Sequence, residues 1–137
     1  MTARQPTQAQ ILLSNAAEDE AAFNAQFLSD SILGFHAQQA VEKLMKALLS
    51  QLNLPFELTH NLERLQTALT SAGESLPVTP ISLDDLNDFA VVYRYDLLFQ
   101  FAPPSPTDLI ETVRNVREHV VARIAALSGA PEPPPVQ

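Results

Sequence analysis

The sequence predicts an all-α protein, a bundle of about five helices with a disordered proline-rich tail. Apolar residues recur at three- and four-residue spacing along nearly the whole chain, and no stretch shows the alternation of a half-buried strand. Each periodic stretch is bracketed by helix punctuation, with Ser29-Asp30, Ser82 and Ser105-Pro106 at starts and Asn53-Pro55 and Gly73 at ends. The composition, 46% hydrophobic and 18% charged over 137 residues, suits one globular domain with a real core.

The first helix is expected from Gln8 to about Leu28, where Ile11, Leu12, Ala16, Ala22, Phe23 and Phe27 alternate by turns with Glu18, Asp19 and Glu20. Ser29 and Asp30 cap the second, which runs to about Leu52 and is ended by Asn53 and Pro55. The third starts at Thr59 or His60, carries Leu62, Leu65 and Leu69, and stops at Gly73. After the stiff connector "PVTP", Ser82 and Asp85 form a capping box for a fourth helix through "LDDLNDFAVVYRYD". "FAPPSP" breaks that helix. Ser105, Pro106 and Asp108 then start the last one, with a cap, a proline at the first position and an acid at the third. It reaches about Leu127, so the bundle spans 8–127. The tail, "SGAPEPPPVQ" (128–137), is poor in amide donors and has little to bury.

The second helix is the most informative. On a wheel of about 100° per residue, Leu33, Ala37, Ala40, Val41, Leu44, Ala47 and Leu48 share a core face. Gln39, Glu42, Lys43 and Lys46 fall opposite, and His36 lies on the border. Phe35, Met45 and Leu49 make a second apolar strip, as in a helix packed between two neighbours, one of which can be another chain. The polar block reads first as a solvated face, with a Glu42–Lys46 pair at favourable spacing, and second as a site.

Charge and residue types exclude several classes. There is no cysteine, hence no disulfide, thiolate metal site or cysteine nucleophile. Net charge is −8, from 16 acidic against 8 basic residues, which opposes non-specific binding to phosphate backbones while leaving room for a local basic pocket. "MTARQPTQAQ" lacks the apolar core of a secretory signal, and no stretch approaches the roughly 18 apolar residues of a membrane span. A cytoplasmic protein is therefore expected. Asp84, Asp85 and Asp88 suit the dipole of a first turn. His36, His60 and His119 lie on separate helices without paired ligand spacing, so no metal is expected. The 3 glycines provide no phosphate-cradling loop, and no cofactor is implied.

"FHAQQAVEKLMKALL" (35–49) resembles the second-helix signature of HEPN domains (higher eukaryotes and prokaryotes nucleotide-binding), typically Phe-His-Ala-Gln-Gln-Ala-x-Glu-Lys-x-x-Lys-Ala. Three further stretches agree in order over about residues 10–127. "NAAEDEAAF" resembles the family's Glu-Asp pattern in the first helix. "THNLERL" resembles its Thr-His-Asp-Leu, with Asn61 for Asp. "FAVVYRYD" resembles a segment that commonly ends Arg-Tyr-Pro, with Asp96 for Pro. The resemblance implies an up-and-down bundle that usually dimerises and often pairs with a minimal nucleotidyltransferase, in some cases as toxin and antitoxin. Some members are metal-independent ribonucleases with an Arg, four to six residues, then a His. In that chemistry the histidine moves a proton at the ribose 2′-hydroxyl while the arginine neutralises the phosphate.

In this chain no histidine follows Arg94, where the family motif would place it. The spacing occurs instead at Arg114 and His119 in the last helix, where residues five apart point about 140° from one another. A nucleotide pocket of His36, Gln39, Lys43, Arg94 and Tyr95 is the other candidate, with cations for phosphate, an amide for a base edge and a ring to stack on it. The plain alternative pairs Arg94 with Asp88 or Glu42 and packs Tyr95. The leading expectation is a non-catalytic, dimeric HEPN partner of a minimal nucleotidyltransferase, within a toxin–antitoxin pair or as a substrate-binding subunit, with that pocket as its candidate nucleotide site. The alternatives are a ribonuclease toxin using Arg114 and His119, and a dimerising scaffold without a nucleotide role.

Overall fold

The computed structural model describes residues 5–24, 29–56, 58–90 and 104–129. They form α1 (Gln8–Ala21), α2 (Asp30–Gln51), α3 (Leu62–Ser71), α4 (Leu83–Asn87) and α5 (Pro106–Leu127), with 3-10 turns at Ala22–Asn24 and Asp88–Ala90. No strand occurs among the described residues.

Side-chain caps set most of the boundaries. Ser29, Ser82 and Ser105 each accept an amide three residues on, from Ile32, Asp85 and Asp108. Thr7 and Gln10 form a reciprocal capping box at α1 that the sequence reading missed. The third helix begins later than expected because Asn61 is its cap, accepting from Glu63 N–H at 2.9 Å. Asparagine and aspartate cap almost equally well, so Asn61 keeps the role an aspartate there would fill. α1 also ends earlier than expected, and residues 25–28 of that predicted helix lie outside the described residues. So do residues beyond Ala90 of the predicted fourth helix. Positive φ at Asn53 (58°) and Gly73 (86°) turns the chain after α2 and α3.

α2 is the central element, packed against α1, α3, α4, α5 and both short turns. Ser50 bonds Gln8 while His36 and Lys43 bond Asp19, so α1 and α2 run antiparallel. The core joins Leu33, Val41, Leu44 and Leu48 of α2 to Leu62, Leu65 and Leu69 of α3, Leu86 and Phe89 beyond, and Leu109, Val113, Val116 and Val120 of α5. Thr112 ties the connector before α4 to α5, since its buried hydroxyl accepts from Ile81 N–H (3.1 Å) and donates to Asp108 O (2.7 Å).

The wheel reading of α2 needs two corrections. Met45 and Leu49 of the second strip are fully buried within this chain, leaving Phe35 half-buried. Glu42 is not on a solvated face, since it is 3% exposed. Thirteen of the 22 residues of α2 are buried, so neighbours enclose the helix on more than one side.

Gly34 marks a close approach of α2 to the turn after α4. A Cβ there would lie 2.0 Å from Cδ1 of Phe89, inside the ring's van der Waals surface. Gly34→Ala gains roughly 1 kcal/mol of helix propensity yet overpacks a core site, which costs about 1–3 kcal/mol. Chemical denaturation should show net destabilisation, and Phe89→Leu in the same chain should recover part of it.

Candidate functional site

The polar block of α2 is not a wet face. It is a half-buried network that fastens other elements to the central helix. On the α1 side, Asp19 accepts from Nδ1 of His36 at 3.0 Å and from Nζ of Lys43 at 2.5 Å. Toward α3, Glu42 accepts from Nδ1 of His60 at 2.9 Å and from Nζ of Lys46 at 3.2 Å. An ionised carboxylate only accepts, so Nδ1 carries the proton in both histidines and Nε2 is the remaining ring nitrogen. Each carboxylate thus bridges one imidazole and one ammonium.

The amides complete the arrangement. Gln38, fully buried, donates to the backbone oxygen of His60 at 2.9 Å and accepts from Gln39 at 2.7 Å. Lys46 also lies 5.8 Å from the centroid of the Phe56 ring, a cation–π contact. The stems of these long side chains cover apolar surface while their heads pair, which is why the block is half-buried.

Of the predicted nucleotide pocket, His36, Gln39 and Lys43 are on adjoining turns of α2, while Arg94 and Tyr95 lie outside the described residues. His36 and Lys43 converge on Asp19, and Gln39 is engaged by Gln38. A His–carboxylate pair with the ring 30% exposed can pass a proton, and Lys43 can meet an anion only in competition with Asp19. Glu42, proposed above as a partner for Arg94, already holds His60 and Lys46.

Arg114 and His119 sit on one uninterrupted helix and separate around it. Arg114 is exposed, whereas His119 is half-buried beside Glu74 and Arg123. Arg123 donates Nε and Nη2 to the two Glu74 oxygens at 2.8 and 2.9 Å. The Glu74 carboxyl is held below the usual carboxylate range, first by the Arg123 hydrogen bonds, against the opposing effect of burial, and further by the charges of Arg123 and His119. This pairing is four residues from His119 in the direction opposite to Arg114. Sequence reading missed it because nothing near Gly73 announces that the loop returns to α5.

Among the described residues no group of three or more histidines and carboxylates could hold a metal ion. Nor is any described helix long and apolar enough to cross a membrane. The HEPN domain model matches the chain over residues 29–124, from the cap of α2 to the last turns of α5. No curated protein and no solved structure matches it.

Glu42→Ala would leave Lys46, 12% exposed, without its partner. Removing one member of a wholly buried pair costs roughly 3–5 kcal/mol. Because His60 is 74% exposed and can turn to water, we expect about 2–3 kcal/mol here, read by urea unfolding at neutral pH.

Glu74 has a depressed folded value, so its stabilisation is complete above the unfolded carboxylate value and is lost as pH falls through the folded one. Glu74→Gln should therefore lower the melting temperature near pH 7. The gap to the parent should close progressively below about pH 4.5.

Proposed function

This chain belongs to the HEPN domain family, and from that premise we propose that it is a non-catalytic member working in nucleotide or RNA metabolism. In this reading, residues 8–127 form a dimeric partner of a minimal nucleotidyltransferase, within a toxin–antitoxin pair or as a substrate-binding subunit. The observation that carries it is the separation of Arg114 from His119. α5 is continuous over Pro106–Leu127, and residues five apart on a regular helix diverge by about 140°. A phosphate held by one would not present its ester to the other within a single chain.

The electrostatics support the same reading. A ribonuclease engaging several phosphates along a strand needs a basic groove, and this chain carries −8. Lys43, Lys46, Arg117 and Arg123 are each paired with a carboxylate. Recognition of one nucleotide held jointly with a partner protein asks for less positive surface than strand binding does. HEPN domains commonly dimerise, and a cytoplasmic dimer fits that role.

The ribonuclease reading makes the opposite demand, because two chains would have to bring Arg114 of one against His119 of the other. Incubation of the dimeric protein with RNA in chelator, beside a His119→Ala control, decides between them. We expect no 2′,3′-cyclic phosphate ends from either protein. Cleavage that disappears in His119→Ala would establish the ribonuclease and end the non-catalytic reading. Co-expression with a minimal nucleotidyltransferase should yield a stoichiometric complex on size exclusion. A scaffold without a nucleotide role would elute alone.

A further inference from the structure

We propose that the junction of the loop after α3 with α5 is a binding site for a single phosphate group, formed by His119, Arg123 and Ser75 and framed by Glu74. The site is separate from the α2 network and does not depend on the partner reading above. His119 and Arg123 are four apart on α5 and therefore neighbours on one face. With Gly73, Glu74 and Ser75 they line a cavity of about 350 Å³.

Two features of the cavity call for a ligand. The first is the guanidinium. Glu74, with its side chain only 9% exposed, grips Nε and Nη2 and so fixes the plane of the group. That uses two of the five N–H donors of Arg123, and the far edge keeps both on Nη1 and one on Nη2. The Arg123 side chain is 39% exposed, and the residue lines the cavity. The second is His119, whose Nε2 is buried and has no hydrogen-bond partner among the described residues. A buried ring nitrogen without a partner is uncommon in folded proteins and asks for a water, an ion or a ligand.

A single water would satisfy His119 but would leave the guanidinium edge unused. It would also fill little of the cavity, since a water occupies about 30 Å³. In the proposed site a tetrahedral oxyanion takes N–H donors from Arg123 and a hydroxyl from Ser75 at the exposed rim, and it meets Nε2 of His119 once that ring turns toward the cavity. The volume leaves space for the alcohol of a phosphate monoester. Glu74 limits affinity, because its charge offsets that of Arg123. Dissociation constants on the order of 1 mM are expected for inorganic phosphate.

The test is a titration of the full chain with inorganic phosphate, and separately with adenosine monophosphate, at constant pH and ionic strength. The readout is the imidazole nitrogen resonances of the 3 histidines. We expect a saturable shift of His119 while His36 and His60 stay in place. Tighter binding of the nucleotide identifies an ester as the source, and equal binding identifies free phosphate. Arg123→Gln should weaken binding at least about tenfold, the loss of a charge-assisted contact. Ser75→Ala should weaken it about threefold.

Glu74→Gln separates a site from a structural clamp. It keeps an oxygen for Arg123 and removes the opposing charge, so phosphate should bind roughly three- to tenfold tighter even as the fold loses stability. No saturable shift of His119 up to about 20 mM phosphate, or a shift unchanged in Arg123→Gln, overturns the proposal. Should Arg123→Gln fail to fold, binding that does not tighten in Glu74→Gln overturns it as well.

Discussion

The structure depends on two buried carboxylates along the central helix, Asp19 from α1 and Glu42 from α2 itself. Their side chains are 11% and 4% exposed, and each is matched by an ammonium and an imidazole. Taking such a charge out of water costs several kcal/mol, and the cost is offset only where the geometry is close and the remaining lone pairs are filled. Here each of the four carboxylate oxygens has a partner, with contacts of 2.5–3.2 Å. The partners come from separate parts of the chain, so neither pair forms fully until α1, α2 and the loop before α3 have docked. Apolar packing alone would let α1 slide along α2. The Asp19 pairings with His36 and Lys43, two turns apart, fix its register.

Enclosure of α2 follows from the same constraint. A helix buried on several sides must place its polar residues where partners exist, and Gln38 shows how narrow that requirement is. Its amide is fully buried, and both its nitrogen and its oxygen are engaged, one on the His60 carbonyl and one on Gln39. Gly34 answers the opposite demand, since the Phe89 ring occupies the space a Cβ would take. Both determine how the segments around α3 and after α4 approach the central helix. The candidate sites are therefore carried by α2 itself and by elements packed against it.

Much of this was legible in the sequence, and the reasons differ by element. Caps at Ser29, Ser82 and Ser105 were readable because capping is local chemistry between residues three apart. The core face of α2 was readable because periodicity is also local. Glu42 was misplaced because a helical wheel gives direction and not what stands in that direction. His60 reaches Glu42 from 18 residues away, and Arg123 reaches Glu74 from 49. Such pairs depend on loop paths that spacing does not encode. The resemblance supplied the missing information in part, since its Glu-Asp, His-Ala-Gln-Gln and Thr-His stretches contain Asp19, His36, Gln38 and His60, which the fold brings together. It assigned no role to Glu74, which lies outside all four stretches.

The distribution of positive charge bears most directly on what the protein can recognise. With 8 lysines and arginines in an acidic chain, a cation spent on an internal pair is a cation withdrawn from any ligand. Lys43 and Arg117 pair with carboxylates of α1, and Lys46 pairs with Glu42 one turn before it on α2. Arg123 differs because its pair is made side-on, through Nε and Nη2, and because it lines a cavity together with His119. Held by Glu74, it loses little side-chain entropy when it meets an anion, which a free surface arginine would lose in full. The same carboxylate keeps the local potential low, so the site discriminates by geometry more than by charge. That is the arrangement expected for recognition of one phosphate at a defined place, and it is poorly suited to gripping a polyanion along its length.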